Sequence, residues 1–66
     1  MAMNATTTPR LLRVRDVCER TGLSRSGLYR LVAEGRFPRQ RRISHKIARW
    51  NSLEVDEWIA SHLEAA

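Results

Sequence analysis

The stretch TGLSRSGLYRLVAEGRF, residues 21–37, contains two glycines that frame a helical pattern. Gly22 can adopt the left-handed conformation that ends a preceding helix, and Gly35 can end a following one in the same way. Ser24 stands where a helix N-cap belongs, because its hydroxyl can accept a hydrogen bond from a backbone N–H two or three residues later. The stretch therefore predicts one helix that ends near Gly22 and a second helix over residues 24–34.

The predicted second helix has two different faces when its residues are placed at about 100° intervals. Leu28, Leu31 and Val32 share an apolar stripe, whereas Ser26 and Arg30 lie nearly opposite them. Two short helices joined by a glycine-containing turn are typical of a helix-turn-helix, although such hairpins also occur as plain packing units. The second helix is expected to present a short, polar and cationic outer face.

Upstream of the glycine turn, the chain changes from a polar segment to a periodic one. Residues 1–9 are small and polar and end in a proline, so they predict a disordered tail before a domain over residues 10–66. Leu11 and Leu12 predict a short extended segment. Apolar residues then recur at helical spacing and predict a first helix of about two turns. These residues are Val14, Val17, Cys18 and Thr21.

The segment RFPRQRRISHKIARW, residues 36–50, has no helical stripe. RRIS and KIARW predict the two arms of a β-hairpin that turns at residues 44–46. Because a two-stranded ribbon is barely stable alone, we expect the hairpin to lean on the helices through apolar side chains. These are Phe37, Ile43, Ile47 and Trp50.

The segment NSLEVDEWIASHLEAA predicts a third, amphipathic helix that is capped by Asn51 or Ser52. Several acidic residues lie in its first turns, where the helix dipole favours negative charge. We expect His62 to be partly buried beside its apolar stripe. The stripe consists of Val55, Trp58, Ile59 and Leu63.

Charge is distributed unevenly along a chain whose net charge is +5. Residues 24–50 carry seven arginines and one lysine against Glu34 alone, whereas residues 51–66 carry four acidic residues and no lysine or arginine. The planar guanidinium suits bidentate contacts to phosphate and to guanine edges. The alternatives are a solvated basic face and an edge strand whose cations deter aggregation. The asymmetry favours a nucleic-acid partner.

Together these features predict a mainly α-helical winged helix-turn-helix with a small β-hairpin, which binds double-stranded DNA. The second helix would enter the major groove, and the hairpin would act as a wing that contacts phosphates or the minor groove. The candidate DNA-binding residues are Ser24, Arg25, Ser26, Tyr29, Arg30, Arg36, Arg39, Arg41, Arg42, Lys46 and Arg49.

Other classes of protein fit the sequence less well. A chain of 66 residues makes one small domain without room for a deep catalytic cleft. An enzyme would need a nucleophile beside a base or a metal site, and the isolated serines and two separated histidines predict neither. An RNA-binding module would be expected to expose several aromatic residues for stacking, whereas Tyr29 is the one aromatic not assigned to the core. We therefore expect no catalysis and no metal or other cofactor.

The sequence also bears on location. No run approaches the roughly 18 apolar residues of a membrane span, and the first residues lack the apolar centre of a secretory signal. The single cysteine excludes an internal disulfide. We expect a cytoplasmic protein with no membrane partner.

The run LLRVRDVCERTGLSRSGLYRLVAEGRFP, followed by RWNSLEVDEWI, resembles the AlpA family of small phage and prophage regulators, which is related to winged-helix excisionases and the MerR-type fold. The resemblance extends from Arg10 to Leu63. It implies DNA binding by a mobile-element protein, as a transcriptional regulator or as an excisionase, with RNA polymerase or an integrase as candidate partner. The sequence departs from the family pattern at Gly27 and at the SHK of the hairpin turn.

Two other interpretations stay open at this point. The DNA-binding tail of a serine recombinase also resembles SRSGLYR, and the acidic third helix could serve a protein-interaction module. MerR-type regulators dimerise through a long coiled coil, for which this chain has no heptad run. We therefore expect a monomer in solution that self-associates cooperatively on tandem DNA sites, with Glu54, Glu57 and Glu64 meeting a neighbour's basic hairpin.

Overall fold

The computed structural model describes residues 8–64 and contains three helices and three short strands. The predicted tail falls mostly on residues 1–7, which lie outside the described residues. The mainly helical winged helix-turn-helix is confirmed. In chain order the elements are β1 (Leu11–Leu12), α1 (Val14–Thr21), α2 (Arg25–Ala33), β2 (Arg41–Arg42), β3 (Ala48–Asn51) and α3 (Ser52–Glu64).

Helix α1 begins and ends through local hydrogen bonds. The Asp16 carboxylate accepts the backbone N–H of Arg13 at 3.0 Å, which satisfies one of the donors that a helix start leaves unpaired. At the other end Gly22 has φ +78°, and its N–H donates to the carbonyl of Cys18 at 2.8 Å. The left-handed glycine predicted from the sequence is confirmed.

Helix α2 has the predicted caps. The Ser24 hydroxyl accepts the backbone N–H of Gly27 at 3.1 Å, as expected of an N-cap serine. At the C-terminal end Gly35 has φ +74°, and the N–H of Arg36 donates to the carbonyl of Leu31 at 2.8 Å. Two capped helices of eight and nine residues therefore flank a turn of three residues.

The predicted hairpin is one part of a three-stranded antiparallel sheet with the order β1-β3-β2. The sequence interpretation took Leu11 and Leu12 as an extended segment but did not pair them with any strand. In the structure Leu12 lies opposite Trp50 in β3. Beyond the strand, the buried Ser52 hydroxyl accepts the backbone N–H of Arg10 at 2.8 Å. Because of this pairing, the hairpin is stabilised by a third strand as well as by the helices.

The apolar core lies between the helices and one face of the sheet. The expectation that Ile43 and Ile47 lean on the helices is wrong, because their side chains are 49% and 40% exposed. Successive strand residues point to opposite faces of the sheet. Because Trp50 of β3 points into the core, the odd-numbered positions of the hairpin point away from the core. The buried apolar residues are Leu12, Val17, Leu28, Phe37, Trp50 and Val55.

Helix α3 packs on the core over its first two turns. Asn51 provides the cap, since its side-chain oxygen accepts the N–H of Leu53 at 2.8 Å. Trp58 and Ile59 pack against the core as predicted. Leu63 does not, because it is 74% exposed in the last turn, beyond the reach of the sheet. His62 is also exposed rather than partly buried, and its ring stacks on Trp58 at 3.9 Å.

Both tryptophans hold the segment that joins α2 to β2. The indole N–H of Trp50 donates to the carbonyl of Pro38, and that of Trp58 donates to the carbonyl of Arg36, each at 2.8 Å. Between these two bonds the buried Phe37 ring meets Trp58 edge-on at 4.8 Å. The connection between the second helix and the hairpin is thereby fixed to the core at three consecutive residues.

Candidate nucleic-acid interface

Helix α2 presents the outer face that its sequence predicts. Arg25, Ser26, Tyr29 and Arg30 are all exposed, whereas Leu28 on the opposite side is fully buried. At helical spacing, positions i, i+1, i+4 and i+5 lie on one side of a helix. The buried leucine fixes the rotation of the helix, so Arg25, Ser26 and Arg30 point away from the core and Tyr29 lies at the edge of this face.

Tyr29 is the member of this face that also touches the sheet. Its ring is 40% exposed, and its centroid lies 6.1 Å from that of Trp50, which is within the range of favourable aromatic pairs. Trp50 belongs to β3, the central strand. The contact therefore links the exposed face of α2 directly to the hairpin.

The hairpin carries its cations on both faces of the sheet. Arg42 lies opposite Ala48 and so shares the face of Trp50 and the helices, whereas Arg41 lies opposite Arg49 on the other face. Arg42 also donates to the carbonyl of His45 across the turn at 3.2 Å. The turn of the hairpin is exposed throughout residues 43–47. The structure thus places Arg42 on the face of the sheet that Trp50 occupies, and Arg41 and Arg49 on the other face.

Besides Arg42, three of the predicted arginines have partners within the chain. Arg41 forms an ion pair with Glu54 of α3, and Arg36 lies 3.4 Å from the carboxylate of Glu34. Arg49 is half-buried and donates to the carbonyl of Ala48 at 2.8 Å. Sequence reasoning missed the pairing with Glu54, because the two residues lie 13 positions apart and no local pattern joins them.

The surroundings of these residues are free of negative charge over a long stretch. Residues 35–53 contain no aspartate or glutamate. Of the acidic residues in α3, Asp56 forms an ion pair with Arg20 of α1 at 2.6 Å, on the first helix rather than the hairpin. Glu57 and Glu64 are exposed, and neither forms an ion pair within residues 8–64. The segment from Gly35 to the start of α3 is therefore basic throughout, with Glu34 and Glu54 as the acidic residues at its two ends.

Other kinds of site are not prominent in the part of the chain that the structure describes. A shallow surface groove of about 340 Å³ lies beside β1 and α1, and none of the predicted DNA-binding residues lines it. Residues 8–64 hold no group of three or more histidine, cysteine or acidic side chains placed to bind a metal ion. None of the described helices has the length and apolar character needed to cross a bilayer.

Known proteins share both the pattern and most of the length of this chain. The family described as Prophage CP4-57 regulatory protein (AlpA) matches residues 10–63. The uncharacterized protein ORF88 of Enterobacteria phage P4 is 40% identical over 57 residues, which cover 86% of this chain and 65% of that protein. The DNA-binding transcriptional activator AlpA of Escherichia coli is 30% identical over 64 residues, which cover 88% of this chain and 91% of the relative.

The chain thus spans just under two thirds of the phage relative and nearly all of the bacterial one. No solved structure gives a significant match. The family match begins at Arg10, which pairs with Ser52, and ends at Leu63 in the last turn of α3. It therefore includes every strand and nearly all of the three helices described above. The chain belongs to the AlpA family of prophage regulatory proteins.

Proposed function

We propose that this protein is a sequence-specific double-stranded DNA-binding regulator of a mobile genetic element, acting in the cytoplasm. The observation that carries the proposal is the exposed Arg25, Ser26, Tyr29 and Arg30 face of α2 beside a hairpin without acidic residues. Such a surface matches the phosphate backbone in charge and offers hydrogen-bond donors to base edges. The name of the Escherichia coli relative, a DNA-binding transcriptional activator, supports it.

Within this proposal, α2 and the hairpin have different tasks. Helix α2 lies in the major groove, where Arg25 and Arg30 contact base edges and the cap residue Ser24 holds the first turn. The hairpin supplies Arg42 and Lys46 to phosphates or to the minor groove, which positions the protein without selecting a sequence. The positive electrostatic potential that attracts the DNA also includes contributions from Arg36, Arg39, Arg41 and Arg49. The indole bonds to residues 36 and 38 support this division because they fix the hairpin relative to α2.

At the finer level, the protein acts as a transcriptional regulator, as an excisionase, or as both, with RNA polymerase or an integrase as its protein partner. It is a monomer in solution, and copies associate on tandem sites, since one small domain covers too few base pairs to specify a unique site. Glu57 and Glu64 are the acidic side chains of α3 that are available to a neighbouring copy, because Glu54 is paired with Arg41 of its own hairpin.

The test begins with selection of bound duplexes from a random library by the full chain. On the selected duplex, Arg25→Ala and Arg30→Ala should reduce both affinity and base preference, with about 1–3 kcal/mol of discrimination lost per base contact. Arg42→Ala and Lys46→Ala should weaken binding to all duplexes alike. Arg20→Ala is the matched control, because this arginine lies on α1 and is paired with Asp56 of α3. Selection of no duplex would reject the function, and preference changes confined to the hairpin variants would reverse the assignment.

A further inference from the structure

The hairpin exposes two isoleucines at its tip, in an otherwise cationic segment. Ile43 and Ile47 are 49% and 40% exposed, although isoleucine is among the residues most often buried in folded proteins. The carbonyl of Ile47 accepts the N–H of Ile43 at 2.8 Å and that of Ser44 at 3.1 Å, so both residues face Ile47 across the hairpin. The turn between them is closed by the N–H of Ile47, which donates to the carbonyl of Ser44 at 3.3 Å.

The two side chains form one small patch of fixed shape. Continuing the register of β2 and β3, both isoleucines lie on the face away from Trp50. Residues that face each other across a hairpin have their Cβ atoms about 4.5–5.5 Å apart, so we expect the two side chains to lie side by side. Both are branched at Cβ and therefore restricted at χ1, so holding them against a partner requires little further ordering.

The chemistry around the patch restricts what can cover it. Arg42 and Lys46 flank the isoleucines in the chain, and residues 35–53 have no acidic member. Ile43 and Ile47 keep 49% and 40% of their surface exposed, so side chains within residues 8–64 cover the patch only in part. A partner must therefore offer apolar surface bounded by negative charge. The minor groove of DNA has this arrangement, because sugars and stacked bases lie between two rows of phosphates.

We propose that Ile43 and Ile47 form an apolar wedge that the hairpin inserts into the minor groove, where it partly unstacks a base step and bends the duplex. The inference rests on the proposed function, and it adds a bending device that the arginines alone would not supply. Arg49, which the register places on the same face as the isoleucines, and Lys46 of the turn contact the phosphates beside the wedge and so hold it in the groove. Apolar side chains inserted in this way kink duplexes by about 20–90° towards the major groove.

The experiment measures DNA shape rather than affinity alone. The full chain is mixed with the duplex that it selects from a random library, in versions that carry 2-aminopurine at successive steps or a donor and an acceptor dye at the two ends. We expect 2-aminopurine fluorescence to rise at one step and the end-to-end distance to shorten. Binding with neither change would overturn the wedge and leave the proposed function standing, whereas no duplex binding at all would reject both.

Three variants assign the effect to the side chains. The double variant Ile43→Ser with Ile47→Ser should lose the fluorescence rise and the bend while it keeps the base preference set by α2. Ile43→Val with Ile47→Val keeps branched apolar side chains and should retain both signals. Leu63→Ser is the matched control, because this leucine is 74% exposed at the other end of α3. Circular dichroism checks that each variant is folded. A folded serine variant that bends DNA as the wild type does would overturn the proposal.

Discussion

Ser24 and Gly27 act as a pair at the start of α2. The Ser24 hydroxyl accepts the N–H of Gly27, and a Cβ at position 27 would lie 3.1 Å from that hydroxyl. This separation is tighter than ordinary packing, so the glycine leaves room for the cap. A glycine within a helix usually lowers stability by roughly 1 kcal/mol relative to alanine. Here part of that loss is offset because the cap bond keeps its geometry.

The effect of the Ser24 cap on stability should be separable from the effect of the same helix on DNA binding. Ser24→Ala removes the acceptor for Gly27 and should lower the free energy of unfolding by about 1 kcal/mol, measured by urea denaturation. Ser26→Ala is the matched control, since this serine is exposed and makes no capping bond. An equal loss of stability in both variants would show that the cap is not responsible.

Ser52 should contribute more to stability than its size indicates. It is 2% exposed, and its hydroxyl accepts the N–H of Arg10 at 2.8 Å. Ser52→Ala leaves that donor without its partner and should lower the free energy of unfolding by about 1–3 kcal/mol. Ser61→Ala, at an exposed position of the same helix, should change it by less than about 0.5 kcal/mol. Thermal melts compare the two variants, and equal melting temperatures would show that the Ser52 hydroxyl does not stabilise the fold.

At the scale of elements, the helix ends were predictable and the strand contacts were not. Gly22, Ser24 and Gly35 act through bonds to residues within five positions, so a short stretch of sequence contains the whole signal. The orientation of Ile43 and Ile47 depends on which face of β3 Trp50 occupies. Only the packed structure determines whether the odd-numbered or the even-numbered positions of the hairpin face the core. The DNA-binding assignments of α2 agree with the exposure of its side chains and stay predictions.

The pairing of β1 with β3 had no signal in the sequence for a similar reason. Two leucines carry too little pattern to define a strand, and their partner lies almost 40 positions later at Trp50 and Asn51. The indole bonds that hold residues 36 and 38 were equally invisible, because they join side chains to carbonyls far along the chain. Periodicity reports local structure, and these contacts are tertiary.

The junction between α3 and the hairpin yields an element-scale prediction. Arg41 and Arg49 lie directly opposite each other, and like charges in that position repel. Glu54 relieves the repulsion by pairing with Arg41, but it also withholds that arginine from phosphate. Glu54→Gln should therefore tighten DNA binding and steepen the slope of log K against log salt by about 0.9.

Glu57→Gln provides the control for this change, because Glu57 lies on the same helix and forms no ion pair within the described residues. It removes the same charge without releasing an arginine. Fluorescence anisotropy at several salt concentrations distinguishes the two variants. Equal slopes for both would mean that Arg41 contacts no phosphate even when it is released.

For the whole molecule, the charge map predicts how strongly salt should weaken binding. Of the eight cations in residues 24–50, all but Arg36 and Arg41 have no ion pair within residues 8–64. If about five to six of them contact phosphates, log K should fall with log salt at a slope of roughly −4.5 to −5.4. Titrations of the selected duplex between low and moderate salt measure this slope. A nearly flat response would contradict an interface dominated by phosphate contacts.

The contact between Arg10 and Ser52 also determines when the molecule can fold. It joins residues 42 positions apart, and the β1–β3 ladder beside it closes the same long loop. Because closing that loop costs conformational entropy, we expect the core to form cooperatively once β3 is present rather than to grow from the first helix. During synthesis α1 and α2 would leave the ribosome long before the strand that completes their core. A nascent chain therefore has no complete sheet beside α1 and α2 until β3 and Ser52 have been made.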